Sequence, residues 1–286
     1  MMINRRKPEW LKIRLPKGQL SLNVQNTVRE HNLHTICTSG MCPNQGECWG
    51  CGTATFMIAG NVCTRACRFC NVTTGPPLPL DKEEPVKVAK SVSDLKLKHV
   101  VLTSVDRDDL DDYGASHWVK VIETVKQLNP HLTMEVLIPD FNGREDLINK
   151  IIAASPDVIS HNLETVKRLT PSVRSRATYS VSLAVIKQVA ESGIVSKSGI
   201  MLGLGETKEE ILETMDDLCR VGCNVMTIGQ YLQPTNKNIE VQEYITPETF
   251  AEYAKIGLAK GFTFVESGPL VRSSYHAERH VYSKKR

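Results

Sequence analysis

From residue 54 onward the chain alternates short, apolar, β-rich runs with stretches of helical period, and this alternation narrows its fold more than any other property. The β-rich runs fall at 54–59, 99–105, 133–138, 158–162, 196–202, 225–230 and 263–266. Helical patterns separate them at 86–95, 116–128, 144–154 and 181–191; in the second of these, Val119, Ile122 and Val125 share one face. Two further helices carry their own start signals. Thr207 with Glu210 three residues on forms a capping box, and Gly222 suits the end of that helix near residue 221. Thr246 followed by Pro247 places an N-cap before a proline at the first helical position. Strict β-then-α order implies an α/β fold with parallel strands and right-handed crossovers. Six such units before a closing run predict a partial (β/α)6 barrel, with a doubly wound open sheet as the alternative. Both put active sites at the C-terminal ends of the strands. Residues 1–53 and 267–286 lack the alternation, so we divide the chain into an N-terminal extension (1–53), a barrel (54–266) and a C-terminal extension (267–286).

The first run leads directly into Cys63-Thr64-Arg65-Ala66-Cys67-Arg68-Phe69-Cys70, a C-x3-C-x2-C triplet at the active-site end of the barrel. A second triplet, Cys37, Cys42 and Cys48, precedes the barrel. The chain has nine cysteines and no apolar core of a secretory signal, which argues against a disulfide scaffold and for metal ligands in a reducing compartment. We expect a cytoplasmic protein. Structural zinc is closed by four ligands, usually in two close pairs. A [4Fe–4S] cube held by three cysteines keeps one iron open for chemistry. From spacing alone both readings stand. Of the remaining cysteines, Cys219 falls on the apolar face of its helix with Ile211, Leu212, Met215 and Leu218, and Cys223 follows the helix end. Both read as core residues. Cys51 reads as a buried bystander, with an alternative ligand role open.

A strand running into C-x3-C-x2-C, with the aromatic Phe69 before the last cysteine, resembles the radical S-adenosylmethionine (SAM) enzymes. Within them the chain resembles the lipoyl synthase family, on several motifs together. These are the first triplet followed by Trp49 and 53–57 (TATFM), then 100–110 (VVLTSVDRDDL), 160–165 (SHNLET), 201–207 (MLGLGET) and 228–235 (IGQYLQPT). The last is 268–277 (GPLVRSSYHA), which carries the R-S-S-Y ending. The resemblance spans residues 37–277. It implies a radical-SAM barrel and two [4Fe–4S] clusters. One, on Cys63, Cys67 and Cys70, binds SAM and cleaves it to a 5′-deoxyadenosyl radical. An auxiliary cluster, on Cys37, Cys42 and Cys48, takes Ser274 as its fourth ligand, with Ser273 as the near alternative, and serves as sulfur donor. The implied reaction inserts sulfur at C6 and C8 of a protein-bound octanoyl-lysine, with two SAM molecules spent. Ser274 thereby becomes the candidate catalytic residue. Phe69, Asn162, Glu164 and Arg174 become candidate SAM contacts, the last because a guanidinium matches a carboxylate.

The implied partners are an octanoylated lipoyl carrier domain, from a 2-oxoacid dehydrogenase subunit or a glycine-cleavage carrier protein, and a reducing electron-transfer protein. A net charge of +3 is too small to argue for nucleic acid, and no run is apolar for long enough to span a membrane. The chain ends are nonetheless basic, with Arg5, Arg6, Lys7, Lys12, Arg14 and Lys17 at one and Arg279, Lys284, Lys285 and Arg286 at the other. They read as solvated arms, or as charges that steer an acidic carrier domain. Two rivals remain at this point. One is a sulfur-inserting radical enzyme acting on tRNA or a biotin precursor; the other is a zinc-stabilised interaction protein.

Overall fold

A computed structural model describes residues 7–13 and 18–281. Arg5, Arg6, Arg14, Lys17, Lys284, Lys285 and Arg286 lie outside the described residues. The strands are β1 (His34–Thr35), β2 (Thr55–Ile58), β3 (Val62–Cys63), β4 (Thr73–Thr74), β5 (His99–Ser104), β6 (Thr133–Leu137), β7 (Val158–Ser160), β8 (Val195–Leu202), β9 (Val225–Gln230) and β10 (Phe264–Gly268). The helices are α1 (Gln19–Glu30), α2 (Ile36–Ser39), α3 (Gln45–Gly50), α4 (Glu84–Asp94), α5 (Ala115–Leu128), α6 (Glu145–Ala153), α7 (Thr170–Val173), α8 (Tyr179–Glu191), α9 (Lys208–Arg220) and α10 (Pro247–Lys260).

The main sheet runs β1-β2-β5-β6-β7-β8-β9-β10. From β2 to β10 every neighbouring pair is parallel. Neighbours in the sheet follow chain order with no reversal, whereas a doubly wound sheet reverses its order at a switch point. The partial barrel is therefore the correct alternative. Six strand–helix units precede β10, and each predicted strand and helix lies within a few residues of its observed limits. Both predicted start signals are present. Thr207 and Glu210 make both hydrogen bonds of a capping box, and Thr246 accepts from the Thr249 N–H with Pro247 in the first turn.

Apolar helix faces close over the outside of the sheet in two layers. Trp118, Val121, Ile122 and Val125 of α5 pack with Ile148 and Ile151 of α6 over the first half. Ile211, Met215 and Leu218 of α9 pack with Phe250 of α10 over the second. Cys219 is half-buried against that second layer and Cys223 is buried in it. Cys51, expected to be buried, is exposed at the end of α3.

The sequence pattern missed the elements of residues 18–53. β1 is a two-residue strand paired antiparallel to β2, so the N-terminal extension adds an edge strand to the barrel sheet. Segments this short carry no readable period; tertiary packing holds them. Val24 of α1, Trp49 of α3 and Ala54 form a small apolar cluster around Cys37, with Cys42 and Cys48 against it.

Candidate active site

Each parallel strand of the main sheet ends in a loop on the same face of the barrel, and these loops line a cavity of about 310 Å³. Cys63, Cys67 and Cys70 line it from the loop after β2, together with Phe69. Cys42 reaches it from the first triplet, and Arg272, Ser273 and Ser274 from the segment after β10. Cys37 and Cys48 stand behind Cys42 in the cluster around Trp49. Asn162, Glu164 and Arg174 line the cavity beyond β7. Apolar side chains, among them Met57, Val105, Leu137, Ile138 and Met201, fill much of the remaining wall.

The loop that carries the second triplet is fixed from several sides. The Arg68 N–H donates to the Val173 carbonyl at 2.9 Å and the Ala66 N–H to Ser175 Oγ at 3.1 Å. Asn238 Nδ2 donates to the Cys70 carbonyl at 2.9 Å. Asn71 Nδ2 donates to the Ser39 carbonyl at 3.0 Å, which ties this loop to the helix carrying Cys37.

The strongest anchor is Arg65, between the first two cysteines. Its guanidinium forks onto Asp108 at 2.9 and 2.8 Å, reaches Asp140 at 2.8 Å and stands 3.4 Å from Asp106. Arg65 is only 6% exposed. Burial pushes the Asp106 carboxyl up to about 6, against the pull of Arg65. For Asp140 the balance falls the other way: burial raises it, but the Arg65 hydrogen bond and charge hold it at about 2. A carboxylate depressed in the fold adds stability above its unfolded value, and that stability disappears as pH falls through the folded value. We expect Asp140 to supply about 2 kcal/mol at neutral pH, lost between about pH 4 and pH 2. Comparing acid unfolding of the parent with Asp140→Asn checks this, since the variant should lack that part of the acid transition.

The fit of an iron–sulfur cube can be judged from the thiols. Burial, with Asp106 next, pushes the Cys63 thiol up to about 12. Burial, with Cys37 and Cys42 beside it, does the same to Cys48, and burial takes Cys70 to about 11. Thiols buried and crowded in this way ionise when a metal cation replaces the proton. Peptide donors already point at the sulfurs. The Asp106 and Arg65 N–H groups reach Cys63 Sγ at 3.3 and 3.4 Å, and the Val72 N–H reaches Cys70 Sγ at 3.4 Å. Hydrogen bonds to sulfur are among the groups that tune such clusters. A cube takes one ligand at each corner, and each triplet offers three thiolates toward it. The donor set fits a cube.

The SAM candidates also present usable groups. Asn162 Oδ1 is a buried acceptor with no hydrogen-bond partner, which suits an ammonium or hydroxyl donor. Glu164 holds a positive φ of 69° while its backbone bridges to β8, a conformation uncommon for a residue other than glycine. Burial raises its carboxyl, with Arg174 and Asn162 opposing. Arg174 Nη1 donates to Ser182 Oγ at 2.7 Å and to the Asn162 carbonyl at 3.3 Å. Ser182 Oγ lies 2.9 Å from His161 Nε2, and His161 Nδ1 lies 2.9 Å from the Ile138 carbonyl. Burial, then Arg174, holds His161 near 4, so it is neutral. Its proton therefore sits on Nδ1, facing the carbonyl. At Gly203 a Cβ would overlap Gln230 and the Glu243 carbonyl.

The R-S-S-Y segment lies against the first triplet. Asn44 Nδ2 donates to the Leu270 carbonyl at 2.6 Å, and Tyr275 Oη to Glu47 Oε1 at 3.1 Å. The Arg272 guanidinium acts electrostatically on Cys42. Gly229 of β9 makes room for this segment, because a Cβ there would strike the Val271 carbonyl. Gly229→Ala is expected to cost about 1–3 kcal/mol through overpacking, read as a lower urea midpoint at unchanged slope. Sequence reasoning missed Arg65, Asp106, Asp108 and Asp140 as a group, although Arg65 and two of the aspartates lie inside the quoted motifs.

Comparison with known proteins agrees with this geometry. The family model for the Radical SAM superfamily matches residues 57–218. The lipoyl synthase of Treponema denticola is 72% identical over 283 residues, covering 99% of this chain and 98% of that protein. A lipoyl synthase of Bacteroides fragilis is 62% identical over 276 residues, 96% of each chain. Among solved structures, methylornithine synthase superposes with a TM-score of 0.57 at 13% identity, covering 84% of this chain and 69% of its own. HydG, a maturase of the [FeFe]-hydrogenase, superposes with a TM-score of 0.59 at 14% identity, covering 93% and 67%. These two likenesses speak for the fold alone.

Proposed function

This chain belongs to the lipoyl synthase family of the radical SAM superfamily, and from that premise we propose that it inserts sulfur at C6 and C8 of an octanoyl chain held in amide linkage to a carrier-domain lysine. The observation that carries the reading is one cavity walled by cysteines of both triplets and by Ser273 and Ser274. Membership implies an enzyme that uses a [4Fe–4S] cluster and SAM. The second cluster, on Cys37, Cys42, Cys48 and Ser274, is part of the proposal. When bound, these groups supply the electron, the hydrogen-abstracting radical and the sulfur, chemistry no side chain provides.

The chain's own residues do the rest. Cys63, Cys67 and Cys70 present three thiolates on a loop that Arg65 fixes to the strand ends. Asn162 Oδ1 accepts from the amino or hydroxyl groups of SAM, and Arg174 meets its carboxylate. Met57, Val105, Leu137 and Met201 pack along the acyl chain and keep water from the reacting carbons. Ser274 offers oxygen where the other ligands of the first triplet offer sulfur. Oxygen is the harder and less apt ligand for iron here, so Ser274 would hold its iron more weakly than a thiolate would. Ser274→Cys is therefore expected to keep the cluster's iron while losing most sulfur insertion; a variant with full activity contradicts the role given to Ser274. The partners we propose are an octanoylated lipoyl carrier domain, from a 2-oxoacid dehydrogenase or a glycine-cleavage system, and a reducing electron-transfer protein.

The test is anaerobic turnover of an octanoylated carrier domain with SAM and a reductant, read by mass spectrometry of the modified lysine. A lipoyl product supports the reading. SAM cleavage without sulfur in the carrier overturns it.

A further inference from the structure

The segment after β10 does more than pass the first triplet. Arg272–Ser274 stand at the mouth of the barrel, whereas Val281 packs against Val158, Val195 and Val225, the first residues of β7, β8 and β9. The arm therefore threads the barrel from its C-terminal to its N-terminal end. Strand alternation turns Glu135 of β6 and Lys197 of β8 to the same inner face as Leu137 and Met201, which line the cavity. There Lys197 Nζ donates to both oxygens of Glu135, at 2.7 and 2.8 Å, to the Ser273 carbonyl at 2.5 Å and to His280 Nδ1 at 3.0 Å. The side chains of Lys197 and Glu135 are completely buried. The ammonium's three N–H bonds are shared among these four neighbours, and burial lowers the Lys197 ammonium while the Glu135 carboxylate opposes it. The proposed reaction uses neither residue.

We propose that Lys197, held by Glu135, is a positioning residue for the auxiliary cluster: it pins the arm at the Ser273 carbonyl, one residue before the ligand Ser274. With the Ser273 carbonyl pinned, the backbone would hold the Ser274 side chain beside the first triplet whether or not it carries iron. This inference rests on the reading of Ser274 as a ligand.

Replacing Lys197 alone leaves a buried carboxylate unpaired and threatens the fold, so the test uses Lys197→Met with Glu135→Leu, which removes both charges together. The full chain is reconstituted with iron and sulfide. Hydrogen exchange is followed across 270–281, and iron loss to a chelator is followed at each triplet by Mössbauer spectroscopy. Loss of a hydrogen bond to a buried cation should speed exchange of the arm by about tenfold or more, with α5 and α9 unchanged. Iron should leave the first triplet about tenfold faster, with the second triplet and its SAM cleavage as in the parent, since only the first depends on the arm. Unchanged exchange in the arm overturns the proposal. So does equal iron loss at both triplets, which marks general destabilisation, or a freed arm with unaltered iron at the first triplet. Ser274→Ala, with the pair intact, separates the two claims. If it leaves the first cluster's spectrum unchanged, the ligand reading falls, and positioning by Lys197 falls with it. If it alters that spectrum, the ligand reading stands and the Lys197→Met, Glu135→Leu result judges the positioning alone.

Discussion

Cys63→Ala is expected to yield a chain that still carries about four iron at the first triplet but forms no 5′-deoxyadenosine. Cys42→Ala should do the reverse: about four iron at the second triplet, SAM cleavage intact and no lipoyl product. The asymmetry follows from the geometry. The second triplet sits on a loop fixed by Arg65, Asn238 and the α7 segment, with Asn162 and Arg174 near its open side. The first is held by α1, Trp49 and the arm after β10. Each triplet has its own support, so each cluster should survive loss of the other. Iron, 5′-deoxyadenosine and lipoyl product measured on both variants check the claim, and loss of both clusters from either single variant contradicts it.

Arg65→Leu is the second large effect. It leaves the buried Asp140 and the part-buried Asp106 without this guanidinium; Asp108 keeps Arg176 at 3.2 Å. Stranding buried charge after removing its partner costs about 3–5 kcal/mol. Urea unfolding at neutral pH measures this directly. Part of the loss should be recovered near pH 5, because Asp106, already raised to about 6 against the pull of Arg65, rises further once that pull is gone and can then take up a proton. A folded-state value above the unfolded one favours folding below it, and that benefit fades as pH rises through the folded value. Loss of less than about 1 kcal/mol, the scale of an exposed ion pair, contradicts the anchoring role.

The barrel was legible because its pattern is local and repeated: short apolar strand runs, helices of period near four, and caps such as Thr207 and Thr246 that need only their neighbours. The same logic made the cysteine triplets readable, since three thiols within eight residues (63–70) or twelve (37–48) lie near one another along the chain. β1 and α2 were not legible, because two or four residues show no period and depend on contacts made elsewhere. Nor was the Arg65 network, whose carboxylates come from loops after β5 and β6 that only the barrel brings together. Lys197 and Glu135 did leave a trace. Each is the one charged residue of its strand, on the face that turns inward. Their pairing, across 62 residues, belongs to the fold.

The central claim is that two iron–sulfur cubes stand in one barrel mouth. Iron, zinc and acid-labile sulfide per chain, measured after anaerobic purification and reconstitution, test it most directly. The account predicts about eight iron and about eight sulfide with no stoichiometric zinc. About one or two zinc with no sulfide would contradict it, leaving the triplets as structural sites.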